Sequence, residues 1–121
     1  MRDFLNITKA LADGTRLRVL LALRDGELCA CQLTELFGLA PSTMSKHFYL
    51  LRVAGLVDSR KEGRWVYYAL PGKDAPTAVR EALYWVEKSL ARDERITQDA
   101  QKLKKVLKCD PAELCRRQCG N

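Results

Sequence analysis

One succession of local signals restricts this 121-residue chain more than any other: a short helix closed by glycine, a second helix opened by proline, and two strands folded back on each other. Leu33, Leu36 and Phe37 mark a helix from about Cys31 to Phe37, and Gly38 stands where a left-handed closing residue is expected. Ala40-Pro41-Ser42-Thr43 opens the next helix, which runs through about Ala54 with Met44, His47, Phe48 and Leu51 as one stripe. Gly55 stops it. Two strands follow, Leu56 to Arg60 and Trp65 to Leu70. They are linked by Lys61-Glu62-Gly63-Arg64, with glycine where positive φ is easiest. The pattern predicts a mainly α domain with a small β-hairpin, a winged helix-turn-helix.

The flanks are helical. Phe4, Leu5, Thr8, Leu11 and Ala12 repeat at helical spacing, and Asp13 or Thr15 can cap a second helix. That helix turns Leu17, Leu20, Leu21 and Leu23 inward and Arg16, Arg18 and Arg24 outward, and Asp25-Gly26 breaks it. After Pro71-Gly72, a long helix carries Val79, Leu83, Val86 and Leu90, with Tyr84 and Trp85 as core or interface residues. Ile96 to Lys108 continues as helix with Ile96, Ala100, Leu103 and Leu107 in phase. Asp110-Pro111-Ala112-Glu113 has the form of a capping box and starts a terminal turn bearing Cys115 and Cys119. The expected organisation is a winged helix-turn-helix unit over 1–95 and a helical extension with a cysteine-bearing tail over 96–121.

Charge points to a polyanionic partner. The chain carries 21 Lys and Arg against 15 Asp and Glu, net +6. Residues 41–73 hold six basic and two acidic side chains, an excess of +4 in the stretch with the second helix and hairpin, where phosphates would be neutralised. Small polar residues at the start of that helix, Ser42, Thr43 and Ser45, then Lys46 and Tyr49, suit approach to a major groove. Arg60, Lys61 and Arg64 suit a minor-groove or phosphate contact, although a basic hairpin taken alone is ordinary turn chemistry. His47 lies on the apolar stripe and reads as a packed, hydrogen-bonded residue. Trp65, Tyr67 and Tyr68 read as hairpin packing.

Five cysteines in two clusters, an odd number without a secretory pattern, argue for reduced thiols in a soluble cytoplasmic protein. No stretch approaches the ~20 apolar residues of a membrane span. Cys29 and Cys31 stand just ahead of the two-helix unit. Within a regular helix, side chains two residues apart diverge by roughly 200°. One soft ion holding both thiols would therefore force the backbone out of helical geometry and disturb the support of the reading helix.

These segments resemble the ArsR/SmtB family of bacterial metal-responsive repressors. The resemblance covers roughly residues 5–90. It rests on Leu11-Ala12-Asp13-Gly14-Thr15-Arg16-Leu17, Glu27-Leu28-Cys29-Ala30-Cys31-Gln32-Leu33, Ser42-Thr43-Met44-Ser45-Lys46-His47-Phe48, Ala54-Gly55-Leu56-Val57 and Gly63-Arg64-Trp65-Val66-Tyr67-Tyr68. It implies a homodimer paired through the first and last family helices, so that 1–95 is also the dimerisation unit. It implies a repressor that binds double-stranded operator DNA at an imperfect inverted repeat and lets go when a metal or metalloid binds. Members that bind zinc on the last helix use Asp and His there, and the single histidine, His47, is not on that helix. The arsenical subgroup carries a Cys-x-Cys pair ahead of the reading helix, matched by Cys29 and Cys31. Its best-known version has a third cysteine where this chain has Thr34.

The resemblance thus implies As(III) or Sb(III) as inducer, with no organic cofactor. Cys29 and Cys31 are the expected sensing pair. Soft thiolates also admit Cd, Pb, Zn or Cu(I). Cys109, Cys115 and Cys119 either supply a third thiolate, from the same or the partner subunit, or form a separate site. A thiol-redox repressor is the alternative on the same fold. An enzyme is disfavoured, since the chain has no Cys-x-x-Cys, no Ser-His-Asp set and no phosphate loop.

Overall fold

The computed structural model describes residues 1–118. Its elements are α1 (Arg2–Leu11), α2 (Gly14–Ala22), a 3-10 turn (Leu23–Asp25), β1 (Leu28–Cys29), α3 (Ala30–Phe37), α4 (Pro41–Val53), β2 (Asp58–Glu62), β3 (Trp65–Ala69), α5 (Thr77–Leu90), α6 (Glu94–Val106) and α7 (Pro111–Gln118). The winged helix-turn-helix is present: α3 ends on Gly38 at φ +66°, α4 opens on Pro41, and β2 and β3 form the wing. Among the described residues no helix is long and apolar enough to cross a membrane.

The sheet has three strands rather than two, in the order β1-β3-β2, all antiparallel. Leu28 pairs with Tyr68 and Cys29 with Tyr67. A two-residue strand carries no periodicity, so only its distant partner reveals it. The hairpin is also displaced. Glu62 pairs with Trp65, leaving Gly63 and Arg64 as the turn, so Arg60 and Lys61 belong to the strand and not to the tip.

The core gathers Leu20 and Leu21 of α2, Leu33 of α3, Met44, Phe48 and Leu51 of α4, Leu56, and Val79 and Val86 of α5. On α1 the expected stripe divides: Leu11 packs against the core, but its Phe4 and Leu5 end does not. Ile7 and Ala10 are buried, whereas Phe4 and Leu5 are 61% and 53% exposed. The helix has two apolar faces, and the monomer has room for one.

Arg18, expected outward, turns inward. Its Nε and Nη2 donate to the two carboxylate oxygens of Asp99 on α6 at 2.7 and 2.8 Å, and its guanidinium lies 4.8 Å from the Phe37 ring centre. Asp99 is buried, and a buried carboxylate is costly without such a partner. Residues 96–106 accordingly pack into the main body: Ile96 joins the core and α6 lies on α2 and α3. At its end Val106, not Leu107, points inward. Val106 continues the inward face of Ile96, Asp99 and Leu103 at helical spacing, and past Leu107 the chain tightens into three-residue turns, with the Lys108 and Cys109 N–H groups donating to the Lys105 and Val106 carbonyls. Asp110 caps α7 through the Ala112 N–H, but Glu113 pairs with Arg116 instead of closing a capping box.

Candidate functional site

The reading helix α4 buries Met44, Phe48 and Leu51 and leaves Ser42, Thr43, Ser45, Lys46 and Tyr49 exposed. Its cap residue Ala40 supplies no side-chain acceptor and Pro41 has no N–H. The first helical hydrogen bond runs from the Met44 N–H to the Ala40 carbonyl. The Ser42 and Thr43 N–H groups therefore project from the helix end, where a phosphate is well received.

Two side chains pin this helix from behind. Phe48 stacks on Tyr68 of β3 with ring centres 4.4 Å apart. His47 accepts at Nδ1 from Arg16 Nη1 at 3.1 Å. Arg16 also donates to the Ala10 and Lys9 carbonyls at the end of α1, at 2.8 and 3.0 Å. Asp13 caps α2 by accepting from the Arg16 N–H. Arg16, expected at the surface, is thus a brace joining α1, α2 and α4, while His47 is packed and hydrogen-bonded as its position on the stripe suggested.

On the wing, Lys61 and Arg64 are exposed. Arg60 is held. It grips Glu27 with two hydrogen bonds of 2.8 and 2.7 Å, meets Glu62 at 3.0 Å, and lies 4.3 Å from the Tyr67 ring centre. The guanidinium keeps the Glu27 carboxyl below its ordinary range. Glu27 immediately precedes β1, so this pair ties the wing to the strand that carries Cys29.

Cys29 is not in a helix. It has extended dihedrals (φ −81°, ψ 157°), is 2% exposed, and serves as the N-cap of α3. Its sulfur faces the Gln32 N–H, and Gln32 Oε1 accepts from the Cys29 N–H at 2.9 Å, a capping box with sulfur in place of a hydroxyl. Cys31 is the second residue of α3 and half-buried. The 200° divergence expected for this pair applies within a helix and does not cross its boundary. Cys109 is exposed, Cys115 is half-buried on α7, and Cys119 lies outside the described residues. Among the described residues no three His, Cys, Asp or Glu side chains stand close enough to hold a metal.

Residues 13–59 match the model of the bacterial regulatory protein family arsR. The chain is 36% identical over 81 residues to the cadmium resistance transcriptional regulatory protein CadC homolog of Staphylococcus aureus, covering 66% of this chain and 67% of that protein. This chain belongs to the arsR family.

Similarity within the family extends to the arsenic resistance transcriptional regulator ArsR1 of Pseudomonas putida, 46% identical over 74 residues. That match covers 58% of this chain and 58% of the relative's length. Among solved structures, one that fits is the homodimeric winged helix-turn-helix DNA-binding domain Mb0332 of Mycobacterium bovis, described as a possible ArsR-family transcriptional regulator. Its TM-score is 0.63 at 29% identity, and the match covers 77% of this chain and 82% of that one. These relatives are transcriptional regulators, not enzymes.

Thr34, three residues after Cys31 in this arsR-family chain, is sealed. It is 5% exposed and its hydroxyl donates to the Ala30 carbonyl at 2.8 Å. Sequence reasoning missed Glu27, Arg16 and Gln118. Glu27 and Arg60 are 33 residues apart, and no local pattern links them. Arg16 had a signal: a guanidinium just past the end of α1 commonly caps free carbonyls.

Proposed function

We propose that this chain is a DNA-binding transcriptional repressor that acts as a homodimer and leaves its operator when Cys29 and Cys31 capture As(III) or Sb(III). One observation carries the reading. Cys29 carries a thiol, stands as the N-cap of α3, the helix that precedes α4 in the helix-turn-helix, and is the strand partner of Tyr67 in the wing. An ion taken at that residue acts on both parts of the reading head.

The donors suit the guest, since two thiols at the edge of an apolar core favour a soft, thiophilic ion over a hard one. Liganding draws the Cys29 sulfur from the Gln32 N–H and loads the β1–β3 pairing, shifting wing and α4 together. Such coupling is typically about 1–3 kcal/mol, roughly 5- to 150-fold in DNA affinity. Ser42, Thr43, Ser45, Lys46 and Tyr49 meet the major groove. Lys61 and Arg64 are the wing contacts, and Arg60 chiefly aligns the wing. Phe4 and Leu5 on α1, with Tyr84 and Trp85 on α5, form the dimer face that sets two reading helices about 34–36 Å apart.

The likeness to the cadmium regulator favours, as a second reading, a soft divalent metal at the same thiols. The test is release of a labelled inverted-repeat duplex, selected by the protein from a random pool, on titration with arsenite, antimonite, cadmium and peroxide. Arsenite or antimonite should release wild type and leave Cys29→Ser and Cys31→Ser bound. Arsenite release in both variants would refute the pair. Release by peroxide alone would establish the redox alternative.

A further inference from the structure

Of the residues that α4 offers to DNA, Ser42, Thr43, Ser45 and Lys46 are polar, and Tyr49 alone carries a ring. That ring is 57% exposed, a large apolar area to leave on a reading face. Beside it opens a shallow concavity lined by Ser45, Lys46, Tyr49 and Leu50. These positions adjoin across one turn of the helix. Although a serine and a lysine contribute to it, the surface of the concavity is almost wholly apolar, so carbon atoms of the four residues form its wall. Lys46 and Arg52, both exposed, stand three residues to either side of Tyr49, and the Arg52 guanidinium lies 5.9 Å from its ring centre. The apolar spot is thus framed by two cations suited to phosphates.

An apolar concavity gains nothing from a phosphate, a donor or an acceptor. In the major groove the base edges present donors and acceptors with one apolar exception, the C5-methyl group of thymine. We infer that Tyr49 and the concavity beside it read one thymine in each operator half-site by its methyl group. Ser42, Thr43 and Lys46 fix the helix in the groove, and Tyr49 makes one position of the sequence matter. Burying a single methyl group is worth about fourfold in affinity. The inference rests on the DNA-binding role of α4 proposed above and is independent of the thiols.

The experiment uses the full chain, free of metal, and the inverted-repeat duplex it selects from a random pool. Thymines are replaced by deoxyuridine in symmetric pairs, one pair at a time, which removes the methyl group and leaves base pairing unchanged. Affinity is read by fluorescence anisotropy. One pair should weaken binding about 15-fold, roughly fourfold for each half-site. Tyr49→Ala should bind the thymine and deoxyuridine duplexes alike. Tyr49→Phe keeps the ring and should keep the penalty. Absence of any sensitive thymine, a full penalty surviving in Tyr49→Ala, or a penalty lost in Tyr49→Phe would overturn the inference. Equal binding to unrelated duplexes, with no sequence selected, would instead sink the reading role of α4 and this inference with it.

Discussion

Two arginine–carboxylate pairs show how setting decides what a charge does. Arg18 and Asp99 meet at the junction of α2 and α6, with side chains 22% and 10% exposed. Arg18→Met should lower stability by about 2–3 kcal/mol, because it strands a buried carboxylate, and a shifted urea midpoint reads it. Arg60 and Glu27 meet in water, so Glu27→Gln should leave that midpoint unmoved. Their bond is visible in titration instead. The folded state holds the Glu27 carboxyl below its ordinary range, so the pair is intact above the usual glutamate pKa and loosens only as pH falls through the lower folded value. The Glu27 carboxyl carbon in an NMR titration should have its midpoint below that of an ordinary glutamate, rising toward the ordinary value in Arg60→Ala.

Among the elements, α3 has the unusual start. A cysteine caps it, and serine is a better cap than alanine. Cys29→Ala should cost about 1 kcal/mol and speed amide exchange in the first turn of α3, while Cys29→Ser should retain both stability and DNA binding. If Cys29→Ala matched the wild type in stability and amide exchange, the sulfur would not be capping. Boundaries set by local sterics were legible in the sequence: Gly38 in its left-handed conformation, Pro41 at the first helical position and Asp110 as a cap all stand where expected. Strand β1 was not, because two residues become a strand only through Tyr67 and Tyr68.

For the molecule as a whole, the exposed aromatic face is decisive. Tyr84 and Trp85 are 67% and 66% exposed on α5, and Phe4 and Leu5 are exposed on α1, which packs against α5. Trp85→Asp removes no core contact, so the chain should stay folded, sediment as a monomer and lose affinity for an inverted repeat. A dimer of unchanged stability would show that the subunits pair elsewhere. The sequence showed one apolar stripe on α1, through Phe4 and Leu5, and the structure buries Ile7 and Ala10 instead. Which stripe faces inward depends on what α2, α4 and α5 leave open, and no property of α1 alone decides it.

By itself the sequence determined the helices and the two wing strands, the polar face of α4 and the presence of two thiols at the start of α3. These depend on backbone sterics, side-chain periodicity and donor chemistry within a few residues of each other. Tertiary structure alone decided that Cys29 caps a helix while pairing with the wing, that Arg18 reaches Asp99 81 residues away, and that Gln118 reaches Cys31 87 residues away. Those contacts join groups whose neighbours in the chain carry no trace of the partner, so they exist only once the core has packed and its buried charges and carbonyls must find one another.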